Sequence, residues 1–274
     1  MRNVLYTSFS ALILLLMLAI PALAQELPFM RPEELPQIDS GTVKEILKSD
    51  LILLDNNKRY KLDNMRIPPY EDASALDELK REFLNKSVTI YTYHDPDNNF
   101  DRYGVPLAHV VRDDNKAWIQ GDMISKGLAW AFSSETSRKM MDPLLQMEQK
   151  ARAQHLGFWA NPIYAIKTPN NVKNYTSSYQ IVEGKILSVA TKQDTIFFNF
   201  GEDWKTDFTL RVSAKNWGLY FLKDISDKDL RKILDPLTWK NREVRVRGWV
   251  EESNGPLMEV THIEQIEFPP AAKK

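Results

Sequence analysis

Cysteine is absent from all 274 residues. That excludes disulfides, thiolate-held metals and a lipid-modified cysteine, and it leaves buried apolar cores as the source of stability. A chain of this length can bury two such cores. A surplus of either charge is also lacking, because 36 Lys and Arg stand against 37 Asp and Glu. Proteins that hold nucleic acid by charge alone are markedly basic, and this one is not. Long apolar runs are missing after the first 24 residues, so no later segment reads as a membrane span. Histidine is scarce, and His94, His109, His155 and His262 lie far apart without metal-ligand spacing. His109 sits in an apolar run and reads as a hydrogen-bonded core or barrel-lining residue. There is no glycine-rich phosphate loop and no serine flanked by nucleophile-elbow glycines.

What is present begins with a leader of bacterial type. Within residues 1–24, Arg2 precedes an apolar stretch over 11–20, Pro21 breaks it, and Ala22-Leu23-Ala24 forms a small-x-small cleavage site. The pattern predicts a signal peptide cleaved after Ala24 and an exported protein, periplasmic or secreted, with no stable membrane insertion afterwards. The leader holds one Arg and no acid, so the chain from Gln25 has 35 − 37 = −2 formal charges. Residues 25–40 carry Pro28, Pro32 and Pro36 and read as an extended, polar lead-in.

Residues 41–47, 51–54 and 58–62 have strand composition, with Asp55-Asn56-Asn57 as a hairpin turn. Leu76, Leu79, Phe83 and Leu84 give 73–84 a helical period. A strand follows at 87–93 and another in the 101–111 stretch, through Val111, then helices at 118–128 and 142–156, with Gly127 and Gly157 where helix C-caps favour glycine. The order predicts a small closed barrel with three helices over 41–162. A linker over 163–177 leads to strands at 181–189, 195–200 and 208–213, a helix at 226–234, and strands at 243–250 and 258–266. That order predicts a second barrel over 178–268, followed by a tail at 269–274. The fold class is therefore mainly β with α (α+β), built from two five-stranded barrels of the oligonucleotide/oligosaccharide-binding (OB) type.

The run Asp101-Arg102-Tyr103-Gly104-Val105-Pro106-Leu107-Ala108 reads as a turn feeding a buried strand. It resembles the Asp-Lys/Arg-Tyr-Gly-Arg-x-Leu-Ala motif of the staphylococcal-nuclease (thermonuclease-like) family. Glu148-Gln149-Lys150-Ala151-Arg152 and Gly157-Phe158-Trp159 resemble the family's last helix. The resemblance implies a calcium-dependent phosphodiesterase site of metal-binding aspartates, a general-base glutamate and phosphate-holding arginines. The positions that should carry this site are mostly changed. Lys48-Ser49-Asp50-Leu51 aligns with the family's Asp-Gly-Asp-Thr and keeps Asp50 as the one metal-site remnant. In the stretch 61–69 the first arginine is Lys61, which keeps charge but lacks the bidentate fork. The second metal aspartate is Arg66, the general base is Pro69, and the arginine after the glycine is Val105. Asp63, Glu71 and Asp72 lie near the lost positions and are the candidate substitutes. A hard cation needs several oxygen ligands and water activation needs a base, so the pattern points away from hydrolysis, with no cofactor expected. Calcium belongs only to the alternative in which a rebuilt site works.

In the second barrel, 200–209 resembles a Phe-Gly-x-Asp-Trp-x-x-Asp-Phe-Thr segment of companion domains that follow thermonuclease-like domains in some bacterial proteins. Arg245, Arg247 and Trp249 alternate with Val244, Val246 and Val250 along one strand. Arginine interleaved with an aromatic on a barrel face fits weak binding of single-stranded nucleic acid or another anionic polymer. The competing reading turns the arginines to solvent, paired with Glu243, Glu251 or Glu252. Three functions stay open: a non-hydrolytic binding or scaffold protein, a calcium-dependent nuclease with a rebuilt site, and a module for envelope polysaccharide or a protein partner.

Overall fold

A computed structural model describes residues 30–93, 99–203, 205–223, 226 and 228–269. The leader expected over 1–24, His94, Trp204 and the expected tail beyond 269 lie outside the described residues. Arg31–Lys274 falls into one compact unit that holds both expected β regions; the first is a closed barrel, and the second is a seven-stranded sheet rather than the five strands expected.

The first sheet is a closed barrel of β1 (Gln37–Lys48), β2 (Leu51–Leu54), β3 (Arg59–Leu62), β5 (Ser87–Tyr91) and β6 (Leu107–Arg112), in the order β1-β2-β3-β6-β5. β3 and β6 pair in parallel and the other neighbours antiparallel. Alternation decides the inward face: Ile52, Leu54, Tyr60, Leu62, Val88 and Ile90 are buried. A two-strand pair, β4 (Met65–Arg66) with β7 (Trp130–Ala131), was not legible in the sequence; it places Arg66 opposite Trp130. Helices α1 (Asp72–Phe83), α2 (Ile119–Ser125) and α3 (Met141–Ala153) fall within the three expected stretches, give or take a residue or two. The left-handed residue that follows α3 is His155 (φ 53°) rather than Gly157. Gly127 (φ 66°) does close α2 as expected, with its N–H on Ile124 O and the Leu128 N–H on Met123 O. Gly157 and Gly127 also let two loops touch, because a Cβ on either would lie 2.1 Å from backbone oxygen of the other loop.

The second sheet comprises β8 (Ser178–Lys185), β9 (Ser188–Lys192), β10 (Thr195–Asn199), β11 (Thr209–Ser213), β12 (Glu243–Glu252), β13 (Pro256–Glu259) and β14 (Ile266–Glu267). Its path is β14-β12-β13-β11-β10-β9, with β8 on the other side of β12. The antiparallel and parallel pairings follow the first barrel's order, including the parallel β11–β13 contact. The single strand expected over 181–189 is broken at Ile186-Leu187. There the backbone changes partners: Ile186 N–H donates to Arg242 O, and Leu187 N–H to Asn199 O. The last strand expected over 258–266 also ends early, at a 3-10 turn over Ile263–Gln265.

The segment expected as a linker is packed rather than loose. Tyr164 and Val172 are buried, and Lys167 Nζ bonds Ile163 O at 2.7 Å and lies 4.1 Å from the centre of the Tyr175 ring. Trp130, Phe158, Trp159, Tyr164, Tyr179 and Ile181 form one apolar cluster that joins the first barrel's helical end to the second sheet. Three of its rings surround Trp130 at centroid distances of 5.5–6.0 Å.

Candidate functional site

A cleft of about 850 Å³ opens where the β1–β2 turn, β3, β4, the start of α1 and the 101–103 loop meet. It is lined by Asp50, Lys61 and Arg66, so the chain brings these sequence-predicted positions together. Each is already engaged. Lys61 Nζ lies 3.4 Å from Asp50 Oδ2 and 3.8 Å from Asp101 Oδ2. Asp50 thus faces an ammonium where a metal-site acid would face a cation. Asp101 Oδ1 accepts the N–H groups of Tyr103 and Val105, both at 2.9 Å, and its role is to shape the loop. Burial pushes the Asp101 carboxyl up, but those N–H bonds and Lys61 outweigh it and hold its pKa below the usual value.

Arg66 projects its guanidinium among three rings: Cζ lies 5.6 Å from the centre of Phe132, 5.2 Å from Tyr179 and 5.8 Å from Trp249. Phe132 belongs to the first half of the chain, Tyr179 to β8 and Trp249 to β12, so the second sheet completes this wall. Pro69 has no side chain that could take a proton, and its carbonyl accepts the Tyr164 hydroxyl. Val105 faces a smaller adjoining hollow of about 350 Å³ and offers no donor to an anion.

The three candidate substitute acids do not converge. Asp63 is buried; it accepts the Ser137 hydroxyl and the Asn64 N–H at 2.8 Å, and burial pushes its pKa up. Glu71 lines a separate hollow of about 400 Å³. Asp72 does reach the cleft, where it accepts the Ser49 hydroxyl from the first turn of α1. Among the described residues no group of three or more His, Asp or Glu side chains is arranged to hold a metal ion. With a guanidinium from Arg66 in the cleft and Asp50 on Lys61, the donor set does not fit calcium, which takes six to eight oxygens.

His109 is in the core, as expected, but neither ring nitrogen has a hydrogen-bond partner among the described residues, and it packs edge-on against Tyr93 and Trp118 at 5.7 and 5.5 Å. Burial pushes its pKa down to about 3, which keeps it neutral.

The expected ligand face on β12 is corrected by its surroundings. Arg245, Arg247 and Trp249 do share a face, but that face packs against the first barrel's helical end. Arg247 is 1% exposed. It donates to Glu148 through two bonds of 2.9 Å, to Glu267 at 2.6 Å and to the Ala131 carbonyl at 2.8 Å. Arg245 pairs with Glu183 at 2.6 Å and Glu267 at 3.1 Å. Neither guanidinium is free for a polymer, and their partners are not the acids suggested by sequence proximity. Trp249 remains 49% exposed, beside Arg66. The aromatic wall of Phe132 and Tyr179 escaped sequence reasoning because its members lie far apart in the chain. A second missed cross-contact joins Ser133 Oγ and His262 Nε2 at 2.6 Å, with Thr261 Oγ1 at 2.8 Å from Nδ1.

Residues 51–161 match the family model described as staphylococcal nuclease homologue. The matched span includes positions 61, 66, 69 and 105 and ends before the second sheet begins. Over 87 residues the chain is also 32% identical to an uncharacterized 38.1 kDa protein of Capnoides sempervirens. That stretch is 32% of this chain and 23% of the relative, so the chain spans about a quarter of the length of the curated relative it matches.

Proposed function

We propose, on the premise that residues 51–161 are a staphylococcal nuclease homologue domain, that this chain is an exported, non-hydrolytic binding or scaffold protein. The observation that carries the reading is the position of Arg66. A fixed positive charge, stacked among Phe132, Tyr179 and Trp249, stands where the family pattern requires a metal-binding carboxylate. Its neighbours support the same reading. Asp50 is neutralised by Lys61, Pro69 cannot act as a base, and Val105 cannot clamp a phosphate. Positioning and charge stabilisation supply most of the rate in metal-assisted phosphodiester cleavage, and the chain has exchanged the groups that provide both. Binding does not need those groups, because a fold can keep its shape while its site changes.

The test is incubation of the full chain with single-stranded DNA, with calcium and with chelator. No metal-dependent cleavage above background is expected. Cleavage abolished both by chelator and by Asp50→Ala would replace this reading with that of a nuclease whose site has been rebuilt.

A further inference from the structure

Arg66 is held differently from the other cations at the cleft. Lys61 is shared by two aspartates, and Arg102 lies over a single ring, Tyr103, at 4.8 Å. The Arg66 guanidinium sits among three rings and has neither a hydrogen bond nor an ion pair among the described residues. The rings around it, 5.2–5.8 Å away, cover the guanidinium without using its N–H groups. A guanidinium so held presents a donor fork of fixed direction, and such a fork matches a planar oxyanion. Holding it in advance lowers the ordering cost of binding.

The rest of the lining restricts the anion. Lys48, Lys61, Arg66 and Arg102 are opposed by Asp50, Asp72 and Asp101, so the cleft carries 4 − 3 = +1 formal charge. A polyanion would meet three carboxylates at close range, but a ligand with a single negative charge at the Arg66 fork would not. The same carboxylates are acceptors only and suit a ligand rich in hydroxyl donors. Two exposed aromatic side chains are at hand: Tyr103, in the cleft lining, is 73% exposed, and Trp249, outside that lining but 5.8 Å from Arg66 Cζ, is 49% exposed. Flat apolar faces next to polar acceptors suit a ring with one apolar side and hydroxyls at its edge.

We propose that this cleft binds a carboxylated sugar, the uronic-acid unit of an oligosaccharide. Its carboxylate sits on the Arg66 fork, its hydroxyls meet the Asp50, Asp72 and Asp101 oxygens, and a ring face lies on Tyr103 or Trp249. The inference rests on the non-hydrolytic reading, since it uses Arg66 as a binding group.

The experiment is calorimetric titration of the full chain, in chelator, with an oligosaccharide carrying one uronic-acid unit (glucuronosyl-xylobiose), neutral xylotriose and oligothymidylate. The singly charged uronate is expected to bind, with the neutral trimer roughly tenfold or more weaker, the scale of a lost charged hydrogen-bond pair. Arg66→Gln should lose about tenfold, Arg66→Lys should recover part of it, and Trp249→Leu should weaken binding without restoring affinity for the neutral sugar. Thermal melts check folding, and Arg66→Lys carries the comparison if Arg66→Gln does not fold. No uronate binding, equal binding by Arg66→Gln, or tighter binding of oligothymidylate overturns the proposal. DNA incubated in parallel separates the two failures: no uronate binding without cleavage sinks the sugar site alone, whereas calcium-dependent cleavage sinks the reading beneath it.

Discussion

Arg247 and Glu148, 99 residues apart, form a doubly hydrogen-bonded ion pair with both side chains 1% exposed. Burial opposes the charge on Arg247, yet Glu148 and Glu267 hold it protonated more firmly than an ordinary arginine. Glu148 is in turn held by the Ala131 N–H at 2.7 Å and by Arg152 at 3.1 Å, so the acid on α3 ties β12 to the first barrel's end. The satisfied partners are what make such burial tolerable.

Breaking this pair from one side should be costly. Arg247→Met leaves Glu148 and Glu267 buried without their main cation, and a loss of about 3–5 kcal/mol in unfolding free energy is expected. Arg247→Met with Glu148→Leu should cost clearly less than the sum of the single changes, because they remove one shared interaction. Urea unfolding of the four proteins measures the coupling. Strict additivity would mean that the pair does not join the two sheets energetically.

Acid should loosen the same junction through His262. Its pKa is pushed down to about 4, first by burial and then by the nearby Arg138. The unfolded chain takes up that proton near pH 6.5 but the folded chain only near 4, so the unfolded state binds more protons between those values. Stability therefore falls as the pH drops from 6.5 to 4, by up to about 3 kcal/mol from this residue. His109 contributes with the same sign down to about pH 3. His262→Gln should flatten the slope of melting temperature against pH across that window. An unchanged slope would show that Ser133 and His262 do not stay neutral partners.

Restoring the lost groups tests whether the cleft is a relic site. Lys61→Arg, Arg66→Asp, Pro69→Glu and Val105→Arg made together should give more calcium-dependent cleavage of single-stranded DNA than the product of their separate effects, because metal, base and clamp act as a unit. Initial rates of the singles and the quadruple decide it. Independent multiplicative effects would argue against a shared site.

Much of the fold could be read from local pattern. The helical period predicts the burial of Leu79 and Phe83, the alternation of Val244, Val246 and Val250 predicts theirs, and the turn at Asp101 and Gly104 forms as its chemistry suggests. Alternation also put Arg245, Arg247 and Trp249 on one face correctly, but it could not say what covers that face. Glu148 and Glu267 are remote in sequence, so the apparent ligand surface is largely a buried seam. The polar composition around 168–178 suggested a linker and gave no sign of the anchors Tyr164, Ile166 and Val172 that pack the segment down. The meeting of Asp50, Lys61 and Arg66 in one cleft followed from the family resemblance. That Arg66 would find an aromatic wall built partly from the second sheet did not, because Tyr179 and Trp249 reach it only through tertiary packing.

The most direct measurement is a calorimetric titration of calcium into the full chain and into Arg66→Asp. The account predicts no saturable binding by the native chain at millimolar calcium, since a guanidinium and a lysine-paired aspartate replace the oxygen donors, and measurable binding once Arg66→Asp returns a carboxylate. Stoichiometric calcium binding by the native chain, lost in Asp50→Ala, would contradict it.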